Sequence, residues 1–519
     1  MAGSTAESSS SSSSAQISQG FHPNLDPLAL RRSLIMSAAA SAIGAVFFTV
    51  IQGTIFNFFL EDLSLRDRLP YFMALWCFGN IGTLMGSWIQ ERYNCRRSLF
   101  FVTVGGSRLI WLVIGLIPIF RPEWMAKGPA FTWLTVLTIS FYFIHSLGGN
   151  AWISWMADLV PTHLQGRYWS LRQVACSLTG ILSRLAFGYY LESHRNMNGY
   201  AVIFCCATIF GVADAAMFYW VEHRRPVLRH ERRHLFTEFM RRMSETPFRR
   251  LIGVYLLWSI SNCIMGPTCF YFMRDRVGMD VTDISVAEAT SLLSFTIFSL
   301  LWGKFSDQHG HRGPLVTCLL IQALCPLFYF FAHRGDSHLV ALAMSMGAIG
   351  FCGINLFMFP MLISFTKGKG GGREVGMAAF TMMMGLSNFA ALIVTDRWLY
   401  DFVGSLVGSL PKSTPVYMAI MVLAMLLRTS AAALAWILPE KKEDTAPGVV
   451  IAQIITTNPL RATLSMFRYV TGQEEWSDGR APLSQTLSET TGASSKSGNN
   501  SDVAQASSLH ESEMPGKGK

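Results

Sequence analysis

The stretch EHRRPVLRHERRHLFTEFMRRMSETPFRR, residues Glu222–Arg250, sets nine Arg against four Glu within 29 residues. Clustered arginine neutralises phosphates, so in isolation this block reads as a nucleic-acid patch. Its flanks exclude that reading. Long apolar runs lie on both sides, and the block falls near the middle of the hydrophobic region. In that setting it is a cytoplasmic joint between two membrane-embedded halves. Phe236, Phe239, Met240 and Met243 repeat at helical spacing. That spacing predicts an interfacial helix whose Arg residues face anionic lipid headgroups, each worth about 1 kcal/mol there.

The composition agrees. The chain is 51% hydrophobic and 14% charged, whereas a soluble domain carries about 25% charged residues. Its mean hydropathy is +0.33. Working outward from the basic block, twelve apolar runs each approach the ~20 residues that a helix needs to cross about 30 Å of hydrocarbon. They cover roughly 33–60, 70–90, 98–120, 130–156, 168–191, 199–221, 251–273, 284–302, 314–332, 338–365, 374–396 and 416–438. Lipid cannot satisfy open backbone groups, and no ten-residue alternation suggests a barrel, so the spans are helices. With both termini inside, Lys and Arg number 21 in or beside the inner stretches and 10 in the outer loops. That bias, most of it from the central block, places the termini in the cytoplasm of a multi-pass inner-membrane protein.

The expected organisation has five parts. Residues 1–30 form a disordered tail that contains the unbroken Ser8–Ser14 run, and 31–221 form the first six-helix bundle. Residues 222–250 are the basic linker and 251–440 the second bundle. Residues 441–519 are a cytoplasmic tail, part interfacial helix near 448–470 and part disordered. No charged segment precedes a short apolar core, so the first span serves as its own insertion signal. The ten Cys contain no CxxC pair, and neither a Walker A motif nor a metal-ligand cluster is present. No metal, cofactor, enzymatic activity or nucleic-acid partner is expected.

Six spans, a basic loop and six more spans suggest a duplication. After span eight the chain reads Gly303-Lys-Phe-Ser-Asp307-Gln-His-Gly310-His-Arg312. After span two it reads Ser87-Trp-Ile-Gln-Glu91-Arg92-Tyr-Asn94-Cys-Arg96-Arg97. Asp307 then aligns with Glu91, Gly310 with Asn94 and Arg312 with Arg96. Gly and Asn are the residues that most easily take a left-handed turn. These segments resemble the signature of the major facilitator superfamily, Gly-x-x-x-Asp-Arg-x-Gly-Arg-Arg. The second copy fits at Gly303, Asp307, Gly310 and Arg312. The first departs from it at Ser87, Glu91, Asn94 and Cys95 and keeps the charge sign at Glu91, Arg92 and Arg96. A further segment, Ser154-Trp155-Met-Ala-Asp158-Leu-Val-Pro161 followed by Gly166-Arg167-Tyr168, is similar to a group of bacterial members of the family. They carry Ser-Trp-x-x-Asp-Leu-Val-Pro and Arg-Gly-Arg-Tyr, and Gln165 stands in for the first Arg.

The resemblance implies an all-α membrane protein of two six-helix bundles that rock around a central cavity. Spans 1, 4, 7 and 10 would line the cavity, and spans 3, 6, 9 and 12 would face outward. It also makes Glu91, Arg92, Arg96, Asp158 and Arg167, with the second-half motif, a cytoplasmic latch. Ionisable groups at membrane depth are functional candidates by default. Arg184 in span five lies 12 residues past Arg172, about 18 Å deeper along a helix, where it suits an anionic solute. Arg108 and Asp214, on spans three and six, form the expected structural ion pair. Glu288 near the outer end of span eight reads as water-exposed, and Arg428 in span twelve has no evident partner.

Polar groups on the implied cavity helices are Gln52, Asn57, His145, Asn150, Asn262, Asn355 and Asn388, with Trp152 beside them. Aromatics with sparse amides suit an amphipathic ligand, although amides also bridge membrane helices. The central parts of spans 1, 4, 5, 7, 10 and 11 hold no carboxylate, so no ordinary proton-symport site is visible. The expected function is transport of a small organic solute, anionic or amphipathic, by a monomer working through alternating access. The alternative is a membrane scaffold or sensor that keeps the fold without transport.

Overall fold

The computed structural model describes residues 27–93, 95–160, 165–223, 244–309, 311–366 and 373–438. The Ser-rich tail up to residue 26, the basic stretch 224–243 with its expected interfacial helix, and everything after residue 438 lie outside the described residues. So do Asn94 and Gly310, the side chains of Glu91, Asn150, Arg167 and Asp307, and the surroundings of Gly303.

Every described element is helical. In chain order they are α1 (Pro27–Ile51), α2 (Thr54–Asp62), α3 (Leu69–Gly79), α4 (Ile81–Tyr93), α5 (Arg96–Phe100), α6 (Gly106–Phe120), α7 (Lys127–Leu159), α8 (Gln165–Ser193) and α9 (Met197–Met217). The second half holds α10 (Thr246–Phe272), α11 (Val281–His309), α12 (Arg312–Phe331), α13 (Ser337–Thr366), α14 (Arg373–Val394), α15 (Tyr400–Val407) and α16 (Thr414–Trp436). A π-helical turn over Phe101–Gly105 joins α5 to α6, and another over Thr395–Leu399 joins α14 to α15. Eleven described runs are long and apolar enough to cross a membrane. The α14–α15 run takes the eleventh place in the chain, which gives twelve transmembrane helices in two groups of six.

Local chemistry moves three expected boundaries. α1 starts at Pro27, inside the expected disordered tail, because proline's fixed φ suits a first helical position. α10 starts at Thr246 with Pro247 in its first turn, so residues 246–250 belong to the second bundle rather than the linker. Span one is not one helix. It breaks at Gln52–Gly53, where Gly53 is extended (φ −113°, ψ −168°). Pro267, by contrast, lies inside an uninterrupted α10.

The two halves repeat one packing pattern. α1 packs on α8 and α9, α6 on α9, and α3–α4 on α7. In the second half α10 packs on α16 and α14, α12 on α16, and α11 on α13. Two seams join the halves, α8 against α11 and α3 against α14. The end that carries the 223–244 connection is here called the terminal end, and the opposite one the distal end. Near the distal end one apolar core is shared by both halves, with Phe58, Phe59 and Trp111 from the first and Phe270, Phe272 and Tyr417 from the second. Near the terminal end the cores are separate. Trp155, Phe100 and Phe218 centre one, and Trp258, Trp302 and Phe357 the other.

Membrane helices gain no hydrophobic drive from lipid, so close approach over small residues holds them. Gly86 on α4 shows this, since a Cβ there would overlap the carbonyl oxygen of Leu147 on α7. Gly86→Val is therefore expected to destabilise the protein by about 1–3 kcal/mol, seen as a lower melting temperature in detergent, with no change in Gly128→Ala, where nothing lies within 4 Å of the added Cβ.

Candidate functional site

A cavity of about 620 Å³ lies in the first half. Gly44, Phe48 and Thr49 of α1, Gln52 at the break after it, Arg108 of α6, His145 and Trp152 of α7, Arg172 and Arg184 of α8, and Asp214 of α9 line it, and Leu292 of α11 closes one side. Three guanidiniums and one carboxylate stand in the wall, with a second carboxylate, Glu288, behind Arg184, so a surplus of one positive charge remains.

Each cation is held differently. Arg108 is 2% exposed, and its Nη2 donates to Asp214 Oδ2 at 2.8 Å. The guanidinium carbon lies 4.3 Å from the Phe47 ring centre and 4.8 Å from that of Phe48. Its Nε and Nη1 are buried without a hydrogen-bond partner. Arg172 Nε donates to Ser41 Oγ at 2.7 Å, and its charge stands 4.7 Å over Trp152 and 5.3 Å from Trp169. No described carboxylate pairs with it. Arg184 Nε lies 3.3 Å from Glu288 Oε2 of α11, and its Nη1 donates to Thr49 Oγ1 and to the Gly180 carbonyl, both at 3.3 Å. Glu288 is thus an ion-pair partner across the seam rather than a water-exposed group.

Of the residues singled out as substrate candidates, Gln52, His145, Trp152 and Arg184 come together here. Asn57, Asn262, Asn355 and Asn388 do not line this cavity. Asn262 Oδ1 instead accepts from Gln322 Nε2 and Arg428 Nη2, at 3.2 and 3.1 Å. The Gln322 carbonyl accepts from Arg428 Nη1 at 2.8 Å, so the partner that Arg428 lacked in the sequence is a set of neutral oxygens. Asn388 Oδ1 accepts from Ser259, and Asn355 bonds its own helix at Phe351. Spans three and six present exposed apolar faces, such as Leu109 and Ile209, yet each also sends one charged residue to the cavity. Arg108 and Asp214 open on the cavity because Gly44 has no side chain, and a Cβ there would stand 2.5 Å from Asp214 Oδ2. The helix break separates the aromatic residues of span one. Phe48 lines the cavity, whereas Phe56 and Phe59 are buried in the distal core.

Of the expected latch residues, Arg96 is fully buried and donates to Asp158 Oδ2 at 2.5 Å, within one half. Arg92 is exposed, and Arg312 donates to the carbonyl of Trp436. The described ion pairs that join the halves lie elsewhere. At the distal end Arg66 meets Asp275 at 2.7 Å, Arg68 meets Asp396 at 2.9 Å, Arg274 meets Glu61 at 3.0 Å and Lys412 meets Asp67 at 3.2 Å. Nearby, Arg195 is clamped by Asp62, whose hydrogen bonds raise the Arg195 pKa above its ordinary value. Partly exposed pairs contribute up to about 1 kcal/mol each, so this distal latch holds through number rather than strength.

The described residues thus form two six-helix halves, with a charged cavity in the first and ion pairs joining the two at the distal end. The model of the Major Facilitator Superfamily matches residues 79–390 and 251–470. The chain belongs to that superfamily, and it is a multi-pass transmembrane transporter. Among solved structures it resembles the xylose transporter XylE from E. coli in a partially occluded inward-open conformation, at TM-score 0.54 and 16% identity over 80% of this chain and 99% of that one. It also resembles the nucleoside transporter NupG, at 0.54 and 13% over 77% and 99%. A bacterial homologue of the iron transporter ferroportin, in its outward-facing state, aligns at 0.55 and 12% over 78% and 98%. At such identities the likeness is one of fold alone. No curated sequence matches the chain at a significant level.

Removing one partner of a buried ion pair strands the other, at a cost of about 3–5 kcal/mol, whereas replacing both with apolar groups is far milder. Arg108→Leu should therefore lower thermal stability sharply, and Arg108→Met combined with Asp214→Leu should recover most of it. Equal losses in the single and double variants would show that the pair is not what holds α6 to α9.

Proposed function

We propose that this transporter carries a small organic anion with an apolar body, bound in the first-half cavity and passed across the membrane by alternating access. The observation that carries this reading is the charge balance at the cavity: Arg108, Arg172 and Arg184 against Asp214 in the wall and Glu288 behind Arg184, which leaves Arg172 without a described carboxylate. Arg172 and the unpartnered edge of Arg108 offer donors suited to a carboxylate, sulfate or phosphate. Phe48 and Trp152 offer rings for the rest of the molecule, and about 620 Å³ falls in the range of small-molecule sites.

The halves share a core and ion pairs at the distal end but have separate cores at the terminal end, which is one of the two arrangements that alternating access needs. The Lys/Arg bias supports the terminal end as the cytoplasmic side of the inner membrane, with both chain termini there and the basic linker on anionic headgroups. The Ser154–Pro161 segment and its likeness to a bacterial subgroup fit that placement. A single chain encloses the cavity, so a monomer suffices.

The test is a thermal-shift panel of organic anions and their neutral analogues, followed by flux of any stabilising anion into vesicles. Charge-assisted hydrogen bonds are worth about 1.5–3 kcal/mol, so Arg172→Ala and Arg184→Ala should each weaken binding roughly 10- to 100-fold. Stabilisation by the neutral analogues instead, or flux indifferent to both substitutions, would overturn the anion reading. A protein with no flux at all would fit the scaffold alternative.

A further inference from the structure

The break in span one leaves α2 as a separate rod of nine residues. Space requires the glycine at the break, because a Cβ on Gly53 would overlap the carbonyl oxygen of Thr49. Glu288 reaches that break from the other half. Its Oε1 accepts from Thr54 Oγ1, the first residue of α2, at 2.5 Å, and its Oε2 lies 3.3 Å from Arg184 Nε. The far end of α2 belongs to the distal latch. Glu61 pairs with Arg274 of the second half, Asp62 with Arg195, and Tyr200 donates to Asp62 Oδ2 at 2.6 Å. Phe58, on the same rod, lies under the guanidiniums of both Arg195 and Arg274. One short helix therefore begins beside the cavity and ends in the distal latch.

We propose that α2 is the lever that couples the cavity to the distal latch, hinged at Gly53, held by Glu288 and released when Arg184 no longer answers that carboxylate. What draws Arg184 away rests on the anion reading above, while the lever itself does not. The Arg184–Glu288 contact is suited to exchange. Arg184 Nε makes no hydrogen bond, and the same guanidinium lines the cavity, where an arriving carboxylate or phosphate competes for it. Glu288 then keeps only the Thr54 hydroxyl. A carboxylate at membrane depth without a cation is costly, and the cost is relieved when α11 and α2 part. Because the latch pairs are individually weak, displacing the rod that carries Glu61 and Asp62 loosens them together. Glu288 is a positioning residue here: it acts through α2 and touches no solute.

Amide hydrogen exchange of the full chain in lipid nanodiscs tests the lever without any solute. Glu288→Gln keeps an acceptor for Thr54 but removes the charge, and Arg184→Gln imitates a guanidinium drawn elsewhere. Each should speed exchange of residues 54–62 and 273–280 about tenfold. Arg184→Glu combined with Glu288→Arg restores opposite charges across the seam and should restore the slow rates. Thr54→Val should speed exchange in residues 54–62. Throughout, segments 248–258 and 315–319 of the terminal-end core should keep wild-type rates, which separates lever release from general unfolding. Single variants as protected as wild type would overturn the proposal. So would a charge-swapped protein no slower than the singles, or acceleration spread evenly over both cores. Because no solute is present, the anion reading can fail in the flux assay while the lever stands, and the reverse.

Discussion

A guanidinium cannot shed its charge at membrane depth, so the protein must answer each one internally. Among the described residues Arg108, Arg184 and Arg428 pose that demand, with Arg172 at the start of its span beside them, and their answers divide the molecule. Arg428 in the second half is met by the Gln322 carbonyl and Asn262, in a buried setting. Arg108, Arg172 and Arg184 in the first half receive one carboxylate from their own half, one from across the seam, hydroxyls and aromatic faces. Neutral oxygens satisfy an arginine without leaving it a ligand to seek. Arginines answered in part retain donors for something else. On the proposed anion reading, the ligand chemistry then falls in the first half, and the second half supplies a partner charge, Glu288, and a wall residue, Leu292.

The distal end is held by contacts of two kinds. An apolar core shared by both halves supplies most of the contact there, and four ion pairs set its register. Core contacts are nondirectional, so they oppose separation without fixing an orientation. Ion pairs fix orientation but exchange readily with water at a wet surface. A closure built from both is specific and reversible. At the terminal end the separate cores give each half a packed base of its own.

Much of this could be read in the sequence, and what could not has a common cause. Span number, the helical class and the duplication follow from apolar run length and from the recurrence of Gly303-x-x-x-Asp307 against Ser87-x-x-x-Glu91. An Arg and an Asp within the membrane invite pairing on desolvation grounds alone. Their opening on the cavity does not, because it depends on an absent Cβ at Gly44, one glycine among 43. The distal latch was hidden because its partners sit 209, 213, 328 and 345 residues apart, in loops whose charges look like ordinary solvated ones. Glu288 misled for the same reason. The break at Gly53 has no proline to announce it, and glycine is common in uninterrupted membrane helices.

The two seams between the halves have different physics although the duplication relates them. At the α3–α14 seam, Phe78 packs on Phe389 with ring centres 5.4 Å apart, and Gly385 lies against Asn80 and the Cys77 carbonyl. Such a seam tolerates small rotations, because dispersion between apolar surfaces falls gradually and has no preferred partner. At the α8–α11 seam, Gly180 and Gly188 admit Leu292 and Ser285 in close contact, and between those glycines stands the Arg184–Glu288 pair. Parting that pair leaves Glu288 only the Thr54 hydroxyl and Arg184 only Thr49 and the Gly180 carbonyl, so half-separation is costly. Under the proposed lever, the halves would pivot on the apolar seam and switch at the charged one. On that view the lever belongs beside α8 and α11, which is where the chain breaks span one and sets Thr54 against Glu288.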